Sequence, residues 1–169
     1  MDLDSFKTME SLKKKVSEQK NILDKCVRKQ REKYLECAKK DFLSFFKNEQ
    51  FNVQDNDTDI TVKLENMSII LEIHGIGKYI NEHMALNIKI KDKIDERYKI
   101  LIVNKNKVNN NFIISDNIEE LKEQLTKIKA KIDKIENESF VFMICEPNDN
   151  RKFNSMEELL KEVIKQIEI

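Results

Sequence analysis

The chain of 169 residues balances 31 Lys and Arg against 31 Asp and Glu, for a net charge of zero. That length supports one domain with a real core, and the neutrality removes any overall electrostatic case for nucleic acid or an anionic membrane as partner. Three cysteines, an odd number without metal-ligand spacing, argue against a disulfide framework and a structural zinc site.

From Ser5 to Asn48 the chain runs 44 residues without Gly or Pro, and apolar residues recur at helical spacing almost throughout. The spacing predicts a helix roughly 65 Å long, more than the rest of so small a chain can cover. Its first half carries a narrow seam of the coiled-coil kind, Met9, Leu12, Val16, Gln19, Leu23, Cys26 and Gln30, weakened by the two glutamines. Its second half carries a broad stripe suited to packing on a sheet: Tyr34, Leu35, Ala38, Phe42, Leu43, Phe45 and Phe46. Residues 1–32 therefore read as a projecting, coiled-coil-like helical arm, and 33–169 as a single α+β globular domain. Lys13-Lys14-Lys15, Arg28-Lys29, Arg31, Lys33 and Lys39-Lys40 are interleaved with Glu18, Asp24, Glu32, Glu36 and Asp41, which marks a solvated helix surface more than a nucleic-acid face.

Asn48 to Asp59 is polar, with a short strand suggested by Phe51 and Val53. The period then changes to two. Ile60, Val62 and Leu64 alternate with polar residues, Glu65-Asn66 forms a hairpin turn, and Ile69, Leu71 and Ile73 alternate beyond it. Such strands are antiparallel, with one face on the core and one in water. Met84, Leu86, Ile88 and Ile90 repeat the pattern. Lys91 to Arg97 reads as a charged turn, Tyr98 to Val103 as a strand, and Phe112–Ile114 as a short edge strand.

Asp116 with Glu119 has the spacing of a helix N-cap pair. The helix that follows presents Ile118, Leu121, Leu125, Ile128, Ile132 and Ile135 as one narrow row. That row and the seam of the arm are related, either packed on each other or each in a bundle. Phe140–Cys145 reads as a buried strand in mid-sheet. Ser155 with Glu158 is a capping box, and Met156, Leu159, Leu160, Val163, Ile164 and Ile167 give the last helix a broad buried face. All three cysteines, Cys26, Cys37 and Cys145, are placed as small core residues.

Polar residues of catalytic type gather in one stretch, His74 to His83, which holds both glycines and both histidines. His74, Lys78, Tyr79, Glu82 and His83 are the candidate partner- or ligand-binding residues of an exposed loop, since glycines let backbone approach a ligand closely. Gly75-Ile76-Gly77-Lys78 lacks the spacing and the Ser or Thr of a phosphate loop, and no third ligand completes a metal site around the two histidines.

The reading is a small cytoplasmic α+β protein: a long N-terminal helix, a four- to five-strand antiparallel meander, then helix–strand–helix, with the helices mainly on one sheet face. The acidic N-terminus shows no signal peptide, and Phe140–Cys145 is too short to span a membrane. The function read from this is protein binding, of inhibitor, immunity, adaptor or regulatory type, without catalytic residues, metal or cofactor. The arm residues Met9, Leu12, Val16, Leu23 and Cys26 would contact the partner, and a homodimer would form through the N-terminal helix. The alternatives are a restriction-endonuclease-like nuclease with a degenerate metal site, built on Asp59 and Asn87-Ile88-Lys89 or Glu72-Ile73-His74, and a non-catalytic nucleic-acid-binding protein.

Overall fold

The computed structural model describes residues 2–47, 51–77, 82–106 and 112–167. Its elements are α1 (Leu3–Lys47), β1 (Asn52–Asp55), β2 (Asp59–Leu64), β3 (Met67–Ile73), β4 (Met84–Ile90), β5 (Ile94–Asn104), α2 (Ile118–Lys134), β6 (Phe140–Ile144), β7 (Lys152–Phe153) and α3 (Met156–Gln166), with a 3-10 turn at Ile135–Asn137. The class is α+β, as the periodicities require. The sheet holds seven strands in sequential order, every neighbouring pair antiparallel. Two of the seven, β1 and β7, are short edge strands with little apolar content, so they leave a faint period-two signal.

The chain divides into two compact units. One comprises residues 1–30 with 106–139, the other residues 31–105 with 140–169. Helix α1 contributes to both, its apolar pattern changing near the boundary.

In the first unit the seam of α1 is filled by α2. Met9, Val16 and Leu23 form one buried cluster with Leu121 and Ile128, and Leu12, Val27, Ile118, Leu125 and Ile132 pack against it. Lys13 binds Asp116, just before α2, at 2.7 Å. Lys20 donates to the Phe112 carbonyl at 3.3 Å, and Lys131, near the end of α2, lies 4.7 Å over the Phe112 ring. Later residues of α2 thus meet later residues of α1, and the two helices run in the same sense. Residues 112–116 make this possible as a strap that returns along them before α2 begins. Phe112–Ile114 is therefore no edge strand: its carbonyls are taken by Lys20 and by Gln124, which donates to Ile113 at 2.8 Å. The cap of α2 also differs from the expected one. Asn117 Oδ1 accepts from the N–H groups of Glu119 and Glu120, while the Asp116 carboxylate turns to Lys13.

In the second unit one sheet face is apolar. Its rows run Val62, Ile69, Ile88 and Ile60, Leu71, Leu86, then Ile73, Met84, Ile100, Ile144. All ten side chains but Ile73 are buried. The aromatic stripe of α1 supplies Leu35, Ala38, Phe42 and Phe46, and α3 supplies Met156, Leu159, Leu160 and Val163, to the same buried set. Tyr34 lies 5.5 Å from Phe140 between ring centroids. Ser155 Oγ accepts from Glu158 N–H, and Glu158 answers by accepting from Asn154 N–H, so the capping box closes one residue early. Strand β5 begins at Ile94, so Asp95, Glu96 and Arg97 belong to a strand, not to a turn. Asp95 and Arg97 face the wet side, where charge costs nothing, and the turn shrinks to Lys91–Lys93 around Asp92 at φ 60°. Cys37 is exposed, outside the core expected for it.

Candidate functional site

The opposite face of the sheet is mixed: it is apolar where Leu101 meets Met143 and Val103 meets Val141, and its part on β2–β5 concentrates polar chemistry. Alternation puts Thr61, Ile70, Asn87 and Arg97 in one cross-strand row, and Asp59, Glu72, Ala85 and Lys99 in the next. Beyond β3 the His74 backbone N–H donates to the His83 carbonyl at 3.0 Å, so the β3–β4 pairing continues one step and the chain returns at Glu82 and His83. Gly75 and Gly77 take φ of +78° and +88°, a left-handed conformation that only glycine adopts without strain.

That return brings five side chains together. The buried Asn87 amide donates to Glu72 Oε1 at 2.8 Å, which leaves Glu72 Oε2 facing the cluster. His74 lies between two carboxylates, its Nε2 3.2 Å from Glu72 Oε2 and its Nδ1 2.7 Å from Glu82 Oε1. Arg97 bridges the same two carboxylates from the solvent side, at 3.1 Å to Glu72 and 2.5 Å to Glu82. The His74 and Glu82 side chains keep only 14% and 13% of their exposure. Ion pairs shielded this far from water are screened less than surface pairs.

His83 does something else. The expectation of two exposed histidines fails here, because His83 is 6% exposed. Its backbone N–H donates to the Ile100 carbonyl at 2.9 Å, and its Nδ1 accepts from Ile102 N–H at 3.0 Å. The ring thus stands in for the next backbone carbonyl of β4 and lengthens the β4–β5 ladder. Burial, with the Arg31 charge nearby, pushes its pKa down to about 4. The ring is held neutral, with Nδ1 as acceptor.

Of the loop candidates, His74 and Glu82 converge, His83 is structural, and Lys78 and Tyr79 lie outside the described residues. Glu72 stands two residues before His74, a spacing that puts both on one side of an extended chain. Asn87 and Arg97 carry no local motif; strand alternation marks them as polar residues on the same face, and only the strand pairing brings them to the cluster. Of the arm candidates, Met9, Val16 and Leu23 are buried against α2, and Leu12 and Cys26 are half-buried. Their partner within the single chain is α2. Of the residues weighed for a nuclease, Asp59 stands directly opposite Glu72, while Lys89 points to Asp95 at 3.7 Å. The basic residues of α1 are partly spoken for, with Lys13 on Glu10 and Asp116, and Lys39 on Glu36.

A second polar group lies beside α3. Arg151 chelates Asp149 and reaches Glu162 and Gln166, and the guanidinium holds the Asp149 carboxyl below its usual range. Burial and the Glu96 carboxylate, to which Tyr98 donates, push the Tyr98 phenol well above its usual range. Every group here has a partner, which is the pattern of a structural network.

No protein-family model matches the chain. No curated protein and no solved structure gives a significant match either. Among the described residues, no helix is long and apolar enough to cross a membrane.

Proposed function

We propose that the chain is a small protein-binding factor, of inhibitor, immunity, adaptor or regulatory type, and that the outer surface of its first unit meets the partner. The observation that carries this reading is Ile113. It is 86% exposed, on a strap where Gln124 holds the Ile113 carbonyl and Lys20 that of Phe112. Among the described residues the exposed large apolar side chains are Leu3, Phe6, Ile22, Ile113 and Ile114 in this unit, and Leu64 alone in the other. An ordered segment that holds an isoleucine pair in water loses little conformational entropy on binding, so its burial converts to affinity efficiently. With the inner seam taken by α2, this outer surface is what remains to be offered, to another protein or to a second copy of the chain.

The test compares the wild type with Ile113→Asp plus Ile114→Asp, after circular dichroism shows that both are folded. Light scattering gives the molar mass of each, and immobilised protein captures partners from native extract. The reading expects a dimer, or a stoichiometric captured protein, that the double variant loses. A monomeric wild type that captures the same set as the variant contradicts it. The nuclease alternative is checked in the same preparation: Mg²⁺- or Mn²⁺-dependent cleavage of DNA or RNA that disappears in Asp59→Ala would replace the binding account.

A further inference from the structure

The Glu72–His74–Glu82 cluster has no part in the protein-binding reading, and its geometry points elsewhere. We propose that these three residues form a binding site for one divalent transition cation, Zn²⁺ or Mn²⁺.

One ligand atom from each residue can be chosen so that all lie within 4.8 Å of one another. Ligand atoms around a tetrahedral zinc are roughly 3.4 Å apart, given metal–ligand distances near 2.1 Å. Closing the cluster onto an ion therefore needs only small side-chain rotations. The donor set is an imidazole and two carboxylates. One imidazole favours Zn²⁺ or Mn²⁺ over Ca²⁺, and the carboxylates suit the harder of these ions.

The surroundings support the ligands in the way metal sites require. Asn87, itself buried, fixes one oxygen of Glu72 and leaves the other aimed inward. An outer partner of this kind orients the ligand before the ion arrives. The His74 backbone N–H donates to the His83 carbonyl at 3.0 Å, which anchors the residue at the start of the glycine turn. Arg97 now meets the negative charge of both carboxylates, and a dication would meet it in the same place. Arg97 has a side chain 40% exposed and can leave to solvent. It occupies the position of a competing cation.

Competition supplies the test. One-to-one binding is measured by native mass spectrometry and calorimetry with ZnCl₂ and with MnCl₂, MgCl₂ serving as the comparison. Circular dichroism confirms the fold of every variant. The proposal expects one ion per chain on the wild type, and affinity lower by about tenfold or more in Glu72→Gln, His74→Ala and Glu82→Gln, as losing a ligand should cost at least what losing an outer partner does. Arg97→Gln is expected to bind more tightly than the wild type, a gain that an unfolded chain cannot give. Cys37→Ser leaves binding unchanged, which separates the site from the exposed thiol. No one-to-one binding by the wild type or by Arg97→Gln at millimolar metal overturns the proposal. So does binding that survives Glu72→Gln and His74→Ala, or that weakens in Arg97→Gln. In each case the cluster is an ion-pair network only.

Discussion

The imidazole of His83 accepts the backbone N–H of Ile102 at 3.0 Å, so a side chain completes a hydrogen bond where β4 has no residue left to do so. The bond exists only while Nδ1 is unprotonated. The folded state holds the ring at about 4 against 6.5 for the free side chain. Between those values the unfolded chain binds more protons than the folded one, so stability falls as the pH falls through this window. We expect the urea midpoint of the wild type to drop between pH 7 and pH 4.5 by more than that of His83→Gln, which keeps an acceptor without titrating. His83→Ala at pH 7 should cost about 1–3 kcal/mol, because the Ile102 N–H is left buried and unpaired.

The shared core of the first unit makes a second prediction. Leu23 is fully buried in the cluster with Leu121 and Ile128. Leu23→Ala should therefore cost about 2–5 kcal/mol, and hydrogen exchange should show its effect in α2, far away in sequence. An exposed dimer seam would instead give a small change in stability and a change in mass.

The cap of α2 can be read by contrast. Asn117→Ala removes the acceptor of two N–H groups and should cost about 0.5–2 kcal/mol. Asp116→Ala loses only an exposed pair with Lys13 and should leave the denaturation midpoint unchanged. The reverse order would restore Asp116 as the cap.

That case shows how far the sequence is legible. The existence of α2, its apolar row and its approximate start are all visible, since they depend on local spacing. Which of two adjacent polar residues caps it depends on Lys13, about a hundred positions away. The same limit applies to the sheet. Strands β2, β3, β4 and β6 announce themselves through apolar residues, whereas the start of β5 hides behind Asp95 and Arg97, charges that a wet sheet face tolerates, and Glu96, which stands on the other face, exposed and accepting from Tyr98. The polar cluster is half legible. His74 and Glu82 stand out beside two glycines, and Glu72 precedes His74 by two on one side of an extended chain, but Asn87 and Arg97 join them only through strand pairing. The two seams are each visible as well. That they pack on one another with parallel sense requires the strap at 112–116, which looks like a strand because isoleucines are equally at home in one.

The glycine turn gives a fourth prediction. A Cβ at Gly75 or Gly77 would meet nothing within 4 Å, so the demand for glycine is one of backbone conformation alone. Gly75→Ala and Gly77→Ala should each cost about 1–2 kcal/mol. Gly75→Asn should cost less, because Asn tolerates the left-handed region better. Equal costs for Ala and Asn would point to close packing instead.

The claim that the outer surface of the first unit meets a protein is tested most directly at Ile113. Place the photo-reactive residue p-benzoylphenylalanine at position 113, and at exposed Lys63 in a control, then irradiate each protein in native extract. The account predicts a covalent adduct with one protein species, identified by mass spectrometry, from position 113 and not from position 63. Adducts with nucleic acid, the same adducts from both positions, or none from position 113 would contradict it.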